Sequence, residues 1–117
     1  MEPVIKTKWQ NFNVGMRFCI ALSKEASKNS EPVGVSEAAT QLLLSSDYDV
    51  WIKAAHISAN CYNESQGLEP LSENEFMAIA DNMGFKALAE LIAEMWKTFE
   101  AVNTQPLREF EGEKKSQ

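Results

Sequence analysis

Histidine and cysteine are scarce in this chain: His56 stands alone, and Cys19 and Cys61 are its two thiols. A tetrahedral zinc site draws on four nitrogen or sulfur ligands, and one His with two scattered Cys falls short of that. His56 lies five residues before Cys61, not four, so the pair does not share a helical face. Neither Ser-His-Asp nor Cys-His chemistry has a recognisable local setting around these residues. Glycine-rich nucleotide motifs, GxGxxG or GxxxxGK[ST], are missing, as is the D-x-D-x-D-G spacing of a calcium loop. The acids Glu64, Glu69, Glu73 and Glu75 cluster, but they surround Ser72 and read as a helix start rather than a paired-carboxylate site. The expectation is a chain with no catalytic residues, no metal and no cofactor.

Long apolar runs are missing too. Nothing approaches the ~18–20 residues that cross a bilayer. Lys6 and Lys8 near the N-terminus are not followed by a continuous apolar stretch, which speaks against a secretory signal. Two unpaired-looking thiols without export then point to a reducing, cytosolic compartment.

What is present is ordinary globular material. The chain has 117 residues, room for one compact domain, and its 44% apolar content suffices for a core without disulfides. Charge is uneven: residues 1–24 carry +3, residues 25–103 carry −9, and 104–117 balance, for a total of −6. An acidic body repels phosphate backbones, so nucleic acid is not the expected partner.

Periodicity is mostly helical. Val4-Ile5-Lys6-Thr7-Lys8-Trp9 has the β-branched and aromatic content of a short strand or half a hairpin. From Asn13, a plausible N-cap, Val14, Phe18, Ala21, Leu22 and Ala26 recur at helical spacing up to about Lys28, where Asn29-Ser30-Glu31-Pro32 breaks the pattern. A short helix follows over Glu37–Leu44. Ser46-Asp47-Tyr48-Asp49 then opens a third, running to about Tyr62. Ser72 and Glu75 form an S-x-x-E capping box between Leu71 and Phe76, which occupy the hydrophobic-staple positions. Phe76, Ile79, Ala80 and Met83 give the next buried stripe, and Gly84 suits the left-handed residue that closes a helix.

The last helix, Phe85 to Val102, carries Phe85, Leu88, Ile92, Met95, Phe99 and Val102 on one seam, broadened by Leu91 and Trp96. Pro106 ends it, and 104–117 reads as a polar tail. The expected fold is therefore mainly α: a single domain over 1–103 of about five helices, with a short N-terminal β-strand or hairpin. Buried aromatics dominate interface energies, so Trp9, Phe12, Met16, Leu91, Trp96 and Phe99 are the candidate protein-binding residues.

The segment Phe12-Asn13-Val14-Gly15-Met16-Arg17-Phe18, followed by Leu22-Ser23-Lys24, resembles the opening of the tail assembly chaperones of long-tailed, siphovirus-like bacteriophages. Leu71-Ser72-Glu73-Asn74-Glu75 and Gly84-Phe85 through Phe99 resemble that family's later helix start and final amphipathic helix, so the likeness spans roughly residues 9–102. The resemblance implies a chaperone in the host bacterial cytoplasm that binds the tape measure protein and keeps it soluble while the tail tube assembles. Such proteins self-associate and are absent from the finished virion. It also implies a longer form, made by frameshifting, that recruits the tail tube protein. Glu113-Lys114-Lys115 is compatible with a slippery purine run at such a place. The alternative, from a different class, is a small acidic helical adaptor or antitoxin-like regulator with one fixed protein partner.

Overall fold

Thr7 makes the first turn of the chain. Its hydroxyl accepts from the backbone N–H groups of Trp9 (3.2 Å) and Gln10 (3.1 Å) and donates to the Gln10 carbonyl at 2.6 Å. That local network competes successfully with continued extension, so the strand expected over Val4–Trp9 stops early and a hairpin forms. In the computed structural model, which describes residues 3–28 and 32–103, β1 is Val4–Lys6 and β2 is Asn11–Asn13. They pair antiparallel, with Ile5 opposite Phe12. Helices α1 (Met16–Ala26), α2 (Val35–Leu43), α3 (Tyr48–Ser65) and α4 (Glu73–Asn103) complete the described chain. It is mainly helical with an N-terminal hairpin, as the periodicity predicts. The polar tail, with Glu113-Lys114-Lys115, and the breaker residues Asn29, Ser30 and Glu31 lie outside the described residues.

Asn13 is not the cap of α1. It ends β2, and its side-chain oxygen accepts from the Gly15 N–H at 2.9 Å, a turn that lifts the chain off the sheet. Gly15 itself is the N-cap, with no side-chain bond. A Cβ there would lie 2.6 Å from Cγ of Pro3, so glycine is required by this close approach. The buried face of α1 is Phe18, Cys19 and Leu22. Ser23 and Ser27 then bind the Val33 carbonyl and N–H, tying the return of the chain to the end of α1.

Helix α3 sits at the centre, packed against α1, α2, α4 and β2. Its buried positions are correspondingly small: Ala54, Ala55, Ser58, Ala59 and Cys61 let neighbouring backbones approach from several sides. Asp47 caps it by accepting from Asp49 N–H at 2.9 Å, one residue after the cap that the Ser46-to-Asp49 spacing suggests. The helix also runs past Tyr62 to Ser65. Gly67, at φ +72°, closes it: Leu68 N–H reaches the Asn63 carbonyl and Gly67 N–H the Glu64 carbonyl. Those two bonds make a Schellman closure, which satisfies the last carbonyls of the helix.

Three polar residues at helical spacing on α3 hold the segment that follows. Asn60 accepts from Leu71 N–H (2.7 Å) and donates to the Leu71 carbonyl (3.2 Å). His56 Nε2 donates to that same carbonyl at 2.7 Å, and Asn63 donates to the Glu69 carbonyl at 3.1 Å. Ser58 donates to the Asn13 carbonyl, and the same Asn63 accepts from Gln10 through its side-chain oxygen, which fastens the hairpin. Buried amides earn their place only when satisfied, since an orphaned partner costs ~1–3 kcal/mol.

Helix α4 starts as the sequence predicts. Ser72 Oγ accepts from Glu75 N–H at 3.1 Å while Glu75 Oε1 accepts from Ser72 N–H at 2.8 Å. The backbone bond from Ser72, then the bond to its hydroxyl, lowers the Glu75 pKa from the ordinary carboxylate value. Phe76 is fully buried, its ring edge-on to Phe12 at 6.4 Å and stacked on His56 at 5.2 Å. Two helices were expected on either side of Gly84. The structure has them: α4 consists of two helical limbs, 73–83 and 85–103, separated by a non-helical Gly84 at φ +83° and ψ 169°. Beyond it, Leu88, Leu91, Ile92, Met95 and Phe99 face the core.

Two measurements follow from this framework. Ser72→Ala removes half of the reciprocal cap and should lower stability by ~0.5–2 kcal/mol, read as a lower urea midpoint at unchanged slope. The second concerns Glu25, whose carboxylate receives Lys28 and Lys53, each at 3.3 Å. Burial alone would raise its pKa, but the two lysine hydrogen bonds outweigh that and hold it below the ordinary value. A depressed folded pKa stabilises the fold above the unfolded carboxylate pKa of ~4.3, and this is lost as pH falls through the lower folded value. Glu25→Gln should therefore lower stability at neutral pH and flatten the acid side of the stability curve. Denaturation midpoints taken across the acid range will show whether the curve changes shape.

Candidate functional site

The bend at Gly84 changes what Phe85 does. The expected seam would bury Phe85 with Leu88 and Ile92, but Phe85, directly after Gly84 at the start of the second limb, is 57% exposed. Its ring stands edge-on to Tyr48, centroids 4.3 Å apart at 86°. Tyr48 is the first residue of α3, just past the Asp47 cap, and is 52% exposed. Its other neighbour is Trp51, at 5.0 Å and 74°. Trp51 is in turn fixed by its indole N–H, which donates to the Ser45 carbonyl at 2.7 Å. Tyr48 is thus held in edge contact with two aromatic neighbours, an arrangement that aromatic quadrupoles favour.

Below these rings lies a groove of about 260 Å³, walled by Tyr48 and Ile52 of α3 and by Met77, Ala80, Asp81 and Phe85 of α4. Met77 is 44% exposed. It directly follows buried Phe76 and so falls off the core stripe. The groove is apolar apart from Asp81. Scattered exposed apolar residues are normal on a protein surface, and this groove gathers several of them in one concavity.

The six residues expected to bind protein do not form one surface, although Trp9 and Leu91 line the same concavity. Phe12, Leu91 and Phe99 are buried in the chain's own core. Trp96 is half-buried and stacks on Phe99 at 5.9 Å. Trp9 is half-buried beneath the Lys8 ammonium, 4.9 Å from its ring, and lines a second concavity between the hairpin and α4 with Met83, Glu90 and Glu94. Met16 is 70% exposed on α1, one turn before exposed Ile20. The groove residues Tyr48, Met77 and Phe85 were not among those expected. Gly84 was the signal: a helix-closing glycine in front of an aromatic implies that the aromatic starts a new face.

The thiols and the histidine are satisfied structural residues. Cys19 and Cys61 are both buried and unpaired. Burial raises both pKa values, that of Cys61 to about 11 with further help from Glu64, so these thiols stay protonated at neutral pH. His56 is spent on Leu71 and Phe76. Among the described residues, no three His, Cys, Asp or Glu side chains are grouped to hold a metal ion. Among them, too, no helix is long and apolar enough to cross a membrane. No family model matches the chain, and neither does any curated protein or solved structure. The likeness to tail assembly chaperones therefore stands on its residue motifs alone.

Gly84→Ala tests the bend. The φ and ψ of Gly84 lie in a region essentially reserved for glycine, with a strain cost of ~1–3 kcal/mol for other residues. An added Cβ meets no atom within 4 Å, so the cost is backbone strain alone. The variant should have a lower urea midpoint and a weaker near-ultraviolet dichroism signal, as the Tyr48–Phe85 contact loosens.

Proposed function

We propose that this chain is a tail assembly chaperone, which acts by binding protein and not by catalysis. Its client is the tape measure protein, kept soluble in the bacterial cytoplasm until tube subunits enclose it. The observation that carries the reading is the exposed apolar groove at the Gly84 bend, set in a chain of net charge −6. An apolar surface gives affinity for an apolar helical client, while like charge among chaperones keeps the complex dispersed. Methionine at the groove suits a client that presents many different apolar segments, because its side chain adapts to irregular shapes. The motif resemblance supplies the client's identity. Self-association, which the resemblance also implies, has Met16 and Ile20 on α1 available to it, because the seam of α4 is used internally.

Co-expression with the tape measure protein from the same genome tests the proposal. The chain should raise the soluble fraction of the client and co-purify with it. Phe85→Ser, at an exposed position, should leave the melting midpoint nearly unchanged and weaken client binding by about tenfold, the effect of losing ~1.4 kcal/mol at an anchor. A client that aggregates equally with and without the chain would sink the proposal.

A further inference from the structure

We infer that the groove between the start of α3 and the Gly84 bend receives a helical segment of the partner whose apolar anchors are flanked by lysine or arginine. This rests on the chaperone reading only in taking the partner to be protein. Size speaks first. Sites for free small molecules occupy ~300–1,000 Å³, and a concavity of about 260 Å³ suits one or two side chains carried by a backbone outside it. The walls come next. Both are helices, α3 and α4, so the groove offers no strand edge for an extended peptide to pair with. The geometry left is a helix laid across, inserting side chains spaced by one turn.

Charge then selects among helices. Asp81 lines the groove itself. Close to its lining in sequence lie three more acids, Asp47 and Asp49 beside Tyr48 and Glu75 before Met77, while Glu90 lines the second concavity instead. The same neighbourhood has two cations, Lys53 and Lys86, and Lys53 is engaged by Glu25 at 3.3 Å. Asp47 and Glu75 serve as helix-cap groups but keep their negative charge while doing so. The N-terminal dipole of α3 offsets part of this field, though its effect fades within one turn. An apolar floor inside an acidic rim attracts a basic-flanked helix and repels an acidic one. The aromatic edges of Tyr48 and Phe85 are already held by each other, so little side-chain freedom remains to be lost on docking.

Three synthetic peptides of about 15 residues, long enough to hold a helix, carry Leu and Phe one turn apart. They differ only in having Lys, Gln or Glu flanks. Titration into the full chain, followed by calorimetry, should rank them Lys, Gln, Glu. The outer two should differ by roughly tenfold or more at low salt and converge at about 1 M salt, where the Debye length is about 3 Å. Asp81→Lys should remove most of the preference while leaving the Gln peptide bound within about twofold. Phe85→Ser should weaken all three. Equal affinity for the three peptides, or binding indifferent to Phe85→Ser, would overturn the inference. So would sedimentation showing that Phe85→Ser turns a dimer into a monomer, since a second copy would then fill the groove. A client kept soluble without any Lys preference would remove this inference and leave the chaperone reading standing. A Lys preference with a client that still aggregates would do the reverse.

Discussion

The grip of Asn60 on Leu71 is the contact on which the far half of the molecule depends. One side-chain amide pairs with both the N–H and the carbonyl of a single residue, and His56 adds a second donor to that carbonyl. Because Asn60 belongs to the central helix, this fixes the chain in space one residue before Ser72. The cap of α4 forms there, Phe76 enters the core one turn later, and the wall of the groove stands one further turn on. A displaced Leu71 would shift all of these together. Polar groups at such a place act as a register pin: apolar packing alone would let α4 slide by a turn along α3, whereas a paired amide would lose its bonds.

The same helix holds the hairpin through Ser58 and Asn63, so α3 ties the hairpin and the start of α4 to one rod. This accounts for its composition. A helix with neighbours on several sides needs small apolar residues for close approach and hydrogen-bonding residues for the irregular segments beside it. Ala54, Ala55 and Ala59 supply the first, while His56, Asn60 and Asn63 supply the second.

Local signals were legible in the sequence where their cause is local. The Ser72–Glu75 box works within one turn of backbone, and the structure has both of its bonds. Helical periodicity placed α1, α2 and α4, since each shows one clear apolar face. What was not legible depends on tertiary partners. Asn13 carries the signature of a cap, but the close approach of Pro3 to Gly15 and the pairing with β1 commit it to the sheet. The end of α3 passed unnoticed because the Schellman closure at Gly67 follows polar residues that lack periodicity. The binding candidates were chosen for size and aromaticity, a criterion that cannot separate core from surface. Phe12 and Phe99 went inward and Met16 outward for reasons set by packing. Phe85 was read as the first residue of the seam because its spacing to Leu88 and Ile92 is helical, but at the very start of the second limb it stays 57% exposed.

The bend divides α4 into limbs of unequal autonomy. The first, residues 73–83, is shorter than the ~12–15 residues that an isolated helix needs in water. It persists through its cap at Ser72 and the burial of Phe76 and Met83, whereas the second limb is anchored by five large apolar side chains along its length. Cooperative opening of the first limb alone is therefore a lower free-energy event than global unfolding, so its amides should exchange with solvent deuterons sooner than those of residues 88–99. The α4 wall of the groove takes Met77, Ala80 and Asp81 from that less protected unit and Phe85 and Leu88 from the second limb, opposite the central helix. Opening of the first limb would therefore dismantle part of that wall while leaving most of the core intact.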